Sequence, residues 1–145
     1  GHLYGTECAT AMVIVYYIAL TDSMPEDVFN RMYPDIYLMD WQQIAPVLRL
    51  RDYEGDLVYL PGDARYFRNP DVNPLTPEWQ GENVIYLGNG LYWGHGIGTG
   101  DAEKFIKALN RNRRPGSDTS AYLMSFARRP DFIYIYRHVQ KYSSD

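Results

Sequence analysis

The hydrophobic pattern changes period once along the chain. From Ala9 to Leu20 apolar residues face every direction around a helix, interrupted by Thr10 alone, which predicts a helix buried on all sides. Thr6 supplies its N-cap, with Glu7 and Cys8 in the first turn. Asp22-Ser23-Met24-Pro25-Glu26-Asp27 predicts a turn and a second helix, with Ser23 as cap and Pro25 in the first turn. Val28, Phe29 and Met32 form its apolar face and Pro34 ends it. Residues 35–55 carry no decisive period, and Ile44 to Leu50 reads equally as a short helix or a strand.

Further on, strand patterns take over. Asp56 to Leu60 predicts a strand closed by Pro61-Gly62-Asp63, and Ala64 to Phe67 a second, ending at Asn69-Pro70. Prolines 61, 70, 74 and 77 flank or fill residues 68–81, predicting an irregular but fixed loop. Glu82 to Leu87 then forms a strand, Gly88-Asn89-Gly90 a tight turn, and Leu91 to Gly96 the hairpin partner. Ala102 to Leu109 reads as an amphipathic helix with Phe105, Ile106 and Leu109 inward. Arg111 to Ser117 reads as a polar loop, Ala121 to Ala127 as a helix, and Phe132 to Val139 as a last strand. No repeat or linker divides the pattern. The order predicts an α+β fold, one domain over residues 1–145, with the apolar N-terminal helix packed on an antiparallel sheet.

Composition narrows the function classes. Of the 145 residues 46% are hydrophobic, which excludes a wholly disordered chain. The run Met12 to Leu20 falls well short of the roughly 20 apolar residues of a membrane span. A net charge of −4 provides no global basic field for nucleic acid or acidic lipid. The local clusters Arg111, Arg113, Arg114 and Arg128, Arg129 read as solvated surface. The single cysteine excludes an intrachain disulfide framework and a four-cysteine zinc site. The glycines from Gly88 to Gly98 lack dinucleotide-binding spacing, and Asp52, Glu54 and Asp56 are not followed by the glycine and glutamate of a calcium loop. No metal or cofactor is expected. The chain opens on Gly1-His2, and the expectation is a domain cut from a longer protein.

Three residues carry candidate chemistry. Cys8 heads the apolar helix, where backbone N–H groups and the helix dipole favour a thiolate; the alternative is an ordinary buried cysteine. His95 lies between two glycines in the hairpin's second arm, open to approach by other groups. Glu82 begins the first arm, level with His95 or one residue beyond it, so that an orienting hydrogen bond across the strands is expected. Singly, His95 also reads as a plain strand-end histidine and Glu82 as a solvated carboxylate. Together they match the logic of an activated thiol, a base and a group that orients the base.

The same residues carry a resemblance. Glu7-Cys8-Ala9-Thr10-Ala11-Met12-Val13-Ile14-Val15-Tyr16-Tyr17 resembles the active-site segment of the Bacillus spore-coat transglutaminase family, the protein-glutamine γ-glutamyltransferases. The likeness recurs in order at Tyr66 to Pro70, Trp79 to Ile85 and Tyr92 to Gly98, and more weakly from Lys104 to Asn110 and Ser120 to Leu123. It implies a papain-like or NlpC/P60-like core that joins glutamine and lysine side chains, with the nucleophile at Cys8, the catalytic glutamate at Glu82 and the histidine at His95. Glu7 matches a position that modulates the site. Family members carry a substantial segment before the cysteine, whereas seven residues precede Cys8 here. Residues 35–55 match poorly.

The implied reaction is acyl transfer through a Cys8 thioester to a lysine amine, and its partners are proteins with accessible glutamine and lysine. Trp79, Tyr92 and Trp93 are candidates to line a channel that excludes water; the alternative is three core aromatics. If water enters freely, the same acyl-enzyme makes the protein a glutamine deamidase, for instance as the effector part of a larger secreted toxin. A non-catalytic binding module is the remaining alternative. The setting is a spore coat on the first reading and a target cell on the effector reading.

Overall fold

The computed structural model describes residues 16, 19, 22, 24–32, 50–55 and 58–143. In chain order these form helix α1 (Glu26–Met32), strands β1 (Arg51–Glu54) and β2 (Ala64–Arg68), and a 3-10 helix at Pro77–Gln80. Strands β3 (Gly81–Gly88), β4 (Leu91–Gly94) and β5 (Gly98–Asp101) follow, then helix α2 (Ala102–Asn110), strands β6 (Tyr122–Leu123) and β7 (Phe126–Arg129), and helix α3 (Phe132–Ser143). The strands make one antiparallel sheet in the lateral order β1-β7-β2-β3-β4-β5, with β6 paired to β2.

The β3–β4 hairpin turns on three successive left-handed residues, Gly88, Asn89 and Gly90, at φ 90°, 52° and 73°. Glycine and asparagine are the residues that adopt this conformation at least cost. Strand alternation then sorts the side chains. Phe67, Val84 and Tyr92 point to one face, where they bury Phe105 and Leu109 of α2. The Phe67 and Phe105 rings stack at 5.3 Å, and Tyr92 meets both edge-on. Asp101 starts α2 by accepting a hydrogen bond from the Lys104 backbone N–H at 2.9 Å. On the other face Ala64, Ile85 and the half-buried Trp93 pack with Tyr16, a helical residue whose hydroxyl donates to the Gly62 carbonyl. The expected packing of an N-terminal helical segment on the sheet is met at Tyr16. The cap at Thr6, the segment to Val15, Ser23 and residues 33–49 lie outside the described residues.

Four expectations are corrected. Of the strand expected over Asp56 to Leu60, Asp56 and Leu57 lie outside the described residues and Val58 to Leu60 is not a strand; Val58 is 82% exposed, so its apolar side chain has no core to face. The strand in this region lies earlier, at β1, paired with β7. Ala121 to Ala127 is not a helix but contains β6 and the start of β7. The buried Arg65 guanidinium takes the carbonyls of Met124, between the two strands, and Phe126, at the start of β7: Nη2 donates to Met124 O at 2.9 Å and Nε to Phe126 O at 3.4 Å. Phe132 to Val139 is helix α3 rather than a strand. Asp131 accepts from the Tyr134 N–H at 2.9 Å and nucleates a turn that local alternation does not reveal. The hairpin arm also ends at Gly94, and the chain returns as β5 after a turn at His95–Ile97. No described helix is long and apolar enough to cross a membrane.

Candidate active site

Glu82 is the second residue of β3, and alternation with Val84 and Tyr86 sends its side chain toward α2. Opposite it in β2 stands Phe67, and Val84 pairs with Gly94 in β4. The carboxyl therefore enters an apolar layer. It is 2% exposed, and its Oε1 has no hydrogen-bond partner among the described residues. Burial disfavours the ionised form and pushes the pKa from 4.5 to about 8. At neutral pH this group holds its proton.

Gly94 makes the space. A methyl group there would stand 2.7 Å from Phe105 Cε1, 3.0 Å from Glu82 Oε1 and 3.2 Å from Val84 Cγ1. Two of these neighbours are fixed core side chains, so Gly94→Ala is expected to cost about 1–3 kcal/mol through overpacking. The variant should also turn the Glu82 carboxyl away from its present position. Urea unfolding at several pH values checks this; an unchanged midpoint would show that the layer yields freely.

His95 is exposed in the β4–β5 turn. The β3–β4 ladder ends at the pair Val84–Gly94, one residue before His95 and two residues after Glu82. His95 lies past the end of the ladder, in the turn, and no hydrogen bond joins Glu82 to His95 among the described residues. The expected cross-strand contact is therefore not made. Cys8 and Glu7 lie outside the described residues.

The three channel candidates separate. Tyr92 is a core residue, 6% exposed and wedged against Phe67 and Phe105. Trp93 lies on the opposite face beside Tyr16. Trp79, in the 3-10 helix, borders a groove of about 560 Å³ together with Gly96, Ile97 and the outer side of α2. Two residues escaped the sequence reading. One is Gly94, whose signal was only its place before His95. The other is Asn69, which is 2% exposed and donates from Nδ2 to the Trp79 and Leu109 carbonyls, both at 3.0 Å. Among the described residues no three His, Cys, Asp or Glu side chains converge to hold a metal ion.

With this geometry in place, comparison with known sequences decides the family. The sequence model of the protein-glutamine gamma-glutamyltransferases matches residues 1–139. The chain belongs to that family. It is 48% identical over 131 residues to protein-glutamine gamma-glutamyltransferases of Bacillus mycoides (strain KBAB4) and Bacillus cereus (strain 03BB102), an alignment covering 90% of this chain and 47% of each relative. The chain thus spans about half the length of the curated relatives it matches. Among solved structures it is similar to the transglutaminase from Geobacillus stearothermophilus (without C-terminal extension), at 45% identity and a TM-score of 0.81, over 91% of this chain and 62% of that one. The likeness read from separate sequence blocks is therefore a family relationship, and the mixed helix and antiparallel-sheet architecture is close to that of a bacterial transglutaminase. Within such a scaffold a carboxyl that is protonated at neutral pH can deliver a proton to a leaving group and take one back from an incoming nucleophile.

Proposed function

We propose that residues 1–145 form the papain-like catalytic core of a protein-glutamine γ-glutamyltransferase, with Cys8 as nucleophile, Glu82 as the proton-transfer group and His95 as an accessory group beside the site. The observation that carries this reading is the buried Glu82 carboxyl, whose Oε1 has no partner among the described residues, held over Gly94 in a chain of this family. The Cys8 thiolate attacks the γ-carboxamide carbon of a protein glutamine, and the C–N bond breaks as the Glu82 carboxyl protonates departing ammonia. A thioester and a Glu82 carboxylate remain. The neutral ε-amine of a lysine then attacks the thioester, Glu82 removes its proton, and the thiolate leaves behind an isopeptide bond. Glu7 adjusts the charge next to the thiol, and the partners are proteins that expose glutamine and lysine.

The test incubates the chain with a glutamine-bearing protein and a labelled primary amine, following label incorporation and ammonia release together. Label with ammonia is the expected result, and Cys8→Ala abolishes both. Ammonia without label would make the protein a deamidase. Neither product from folded protein would remove the enzymatic reading.

A further inference from the structure

The basic segment after α2 does not behave as one solvated cluster. Arg114 is paired with Asp71 at 3.2 Å. Arg113 donates to the carbonyls of Asn110 and Thr119, both at 3.1 Å. The Arg111 guanidinium makes no ion pair or hydrogen bond among the described residues, and it stands exposed at the rim of the groove that Trp79 borders.

The other charged side chains of this groove each have a partner. Lys107 is paired with Glu103 at 2.9 Å. Lys104 folds across Gly100, where a methyl group would stand 2.3 Å from its Cδ, and its Nζ donates to the Thr99 carbonyl at 2.9 Å. Asp101 is engaged as the cap of α2. Taken together the charged side chains lining the groove leave one net positive charge, and the cation with no side-chain or carbonyl partner among the described residues is Arg111. Its apolar floor is Trp79 and Ile97, both packed against the core. Asn69 ties its walls together, bonding the Trp79 carbonyl on one side and the Leu109 carbonyl of α2 on the other. This groove is preformed, and its 560 Å³ matches pockets that take a ligand of a few residues.

Its position links it to the reaction. Trp79 precedes Glu82 by three residues, and Gly96-Ile97 directly follow His95. We infer that the groove receives the glutamine-bearing segment of the protein substrate and selects segments with an acidic side chain near the glutamine, which pairs with Arg111. This rests on the proposed transfer reaction, for which it supplies a substrate preference. The pairing is at an exposed rim, so it tunes affinity rather than chemistry and weakens with salt.

The experiment uses two fluorescent peptides with one central glutamine, flanked by glutamates in one and by arginines in the other. Binding to the Cys8→Ala chain is measured by polarisation, and turnover of both peptides by the amine-incorporation assay with the unsubstituted chain. The acidic peptide is expected to bind about five-fold more tightly, within the reach of one exposed ion pair, and to show a correspondingly lower KM with similar kcat. Arg111→Glu should reverse the preference, and 0.5 M salt should erase it. Because each comparison is a ratio of two peptides on one protein, a loss of folded material cancels. Equal binding of the two peptides, or a preference untouched by Arg111→Glu, overturns the inference. Binding as expected without turnover of either peptide would remove the transfer reading while leaving the groove's selectivity intact.

Discussion

Glu82→Gln is expected to lower kcat for amine incorporation by about 10²–10⁴-fold, the usual worth of a positioned acid–base group, with the fold retained. Glutamine keeps the shape that fits over Gly94 but can neither protonate departing ammonia nor deprotonate an incoming amine. The pH profile makes the prediction specific. The folded-state pKa of Glu82 is near 8 against an ordinary 4.5. Acylation, read as the first burst of ammonia, should therefore fall above about pH 8 as the proton is lost, and the glutamine variant should lack that limb.

The same carboxyl leaves a mark on stability, and its sign follows from linkage. Below pH 4.5 both the folded and the unfolded chain carry the proton, so this group adds no pH dependence. Between 4.5 and 8 the unfolded chain has released a proton that the folded chain keeps. Stability then falls as pH rises, by at most about 1.4 kcal/mol per unit. Above 8 both states are ionised and the loss levels off. Urea unfolding from pH 5 to 8.5 should show this decline, and Glu82→Gln should flatten it. A glutamine variant with full turnover, or with an unchanged stability slope, would remove Glu82 from the role assigned to it.

Asp63→Ala is expected to cost the fold about 3–5 kcal/mol, the range for stripping one partner from a buried ion pair. Asp63 is fully buried and accepts from Arg129 Nε at 2.6 Å and Nη2 at 2.8 Å, and from the Leu60 N–H at 2.8 Å. The carboxylate holds the Arg129 guanidinium charged more firmly than usual. Removing it strands that cation and a backbone donor together. Arg129 keeps 18% exposure, and access to water moves the expected loss toward the lower end of the range. Against a typical total of about 5–15 kcal/mol this still leaves a marginal protein. The neighbouring Gly62 carbonyl receives the Tyr16 hydroxyl, so the helical segment at Tyr16 loosens with the β2 entrance. Asp63→Ala combined with Arg129→Met should recover part of the loss, because the stranded charge goes with it. A loss under about 1 kcal/mol in the single variant would mean that water replaces the pair at little cost.

How much was legible depends on where the deciding interactions lie. The Gly88–Gly90 turn, helix α2 and the proline-rich loop are set by neighbours in sequence: left-handed residues, the Asp101 cap, fixed proline torsions. The stretch Ala121 to Ala127 runs against its local pattern because a distant residue decides it. Arg65 reaches 59 and 61 residues along the chain to the carbonyls of Met124 and Phe126, and no local pattern in Ala121 to Ala127 encodes that partner. In α3 the period-two run Phe132 to Tyr136 imitates a strand, and the Asp131 cap outweighs it. Both Arg65 and Asp63 look like ordinary surface charges in sequence.

The candidate site divides in the same way. The sequence alone determined which residue types could do the chemistry, and it carried the family in ordered blocks around Cys8, Glu82 and His95. That much survives in one dimension because identity and spacing are local. The tertiary structure decided what Glu82 is physically: a carboxyl protonated at neutral pH, not a solvated carboxylate. Its burial depends on the β3–β4 register, on the missing side chain at Gly94 and on the Phe105 ring brought in by α2. Desolvation sums over neighbours from several strands and a helix, so the acidity of one residue is a property of the whole packed layer.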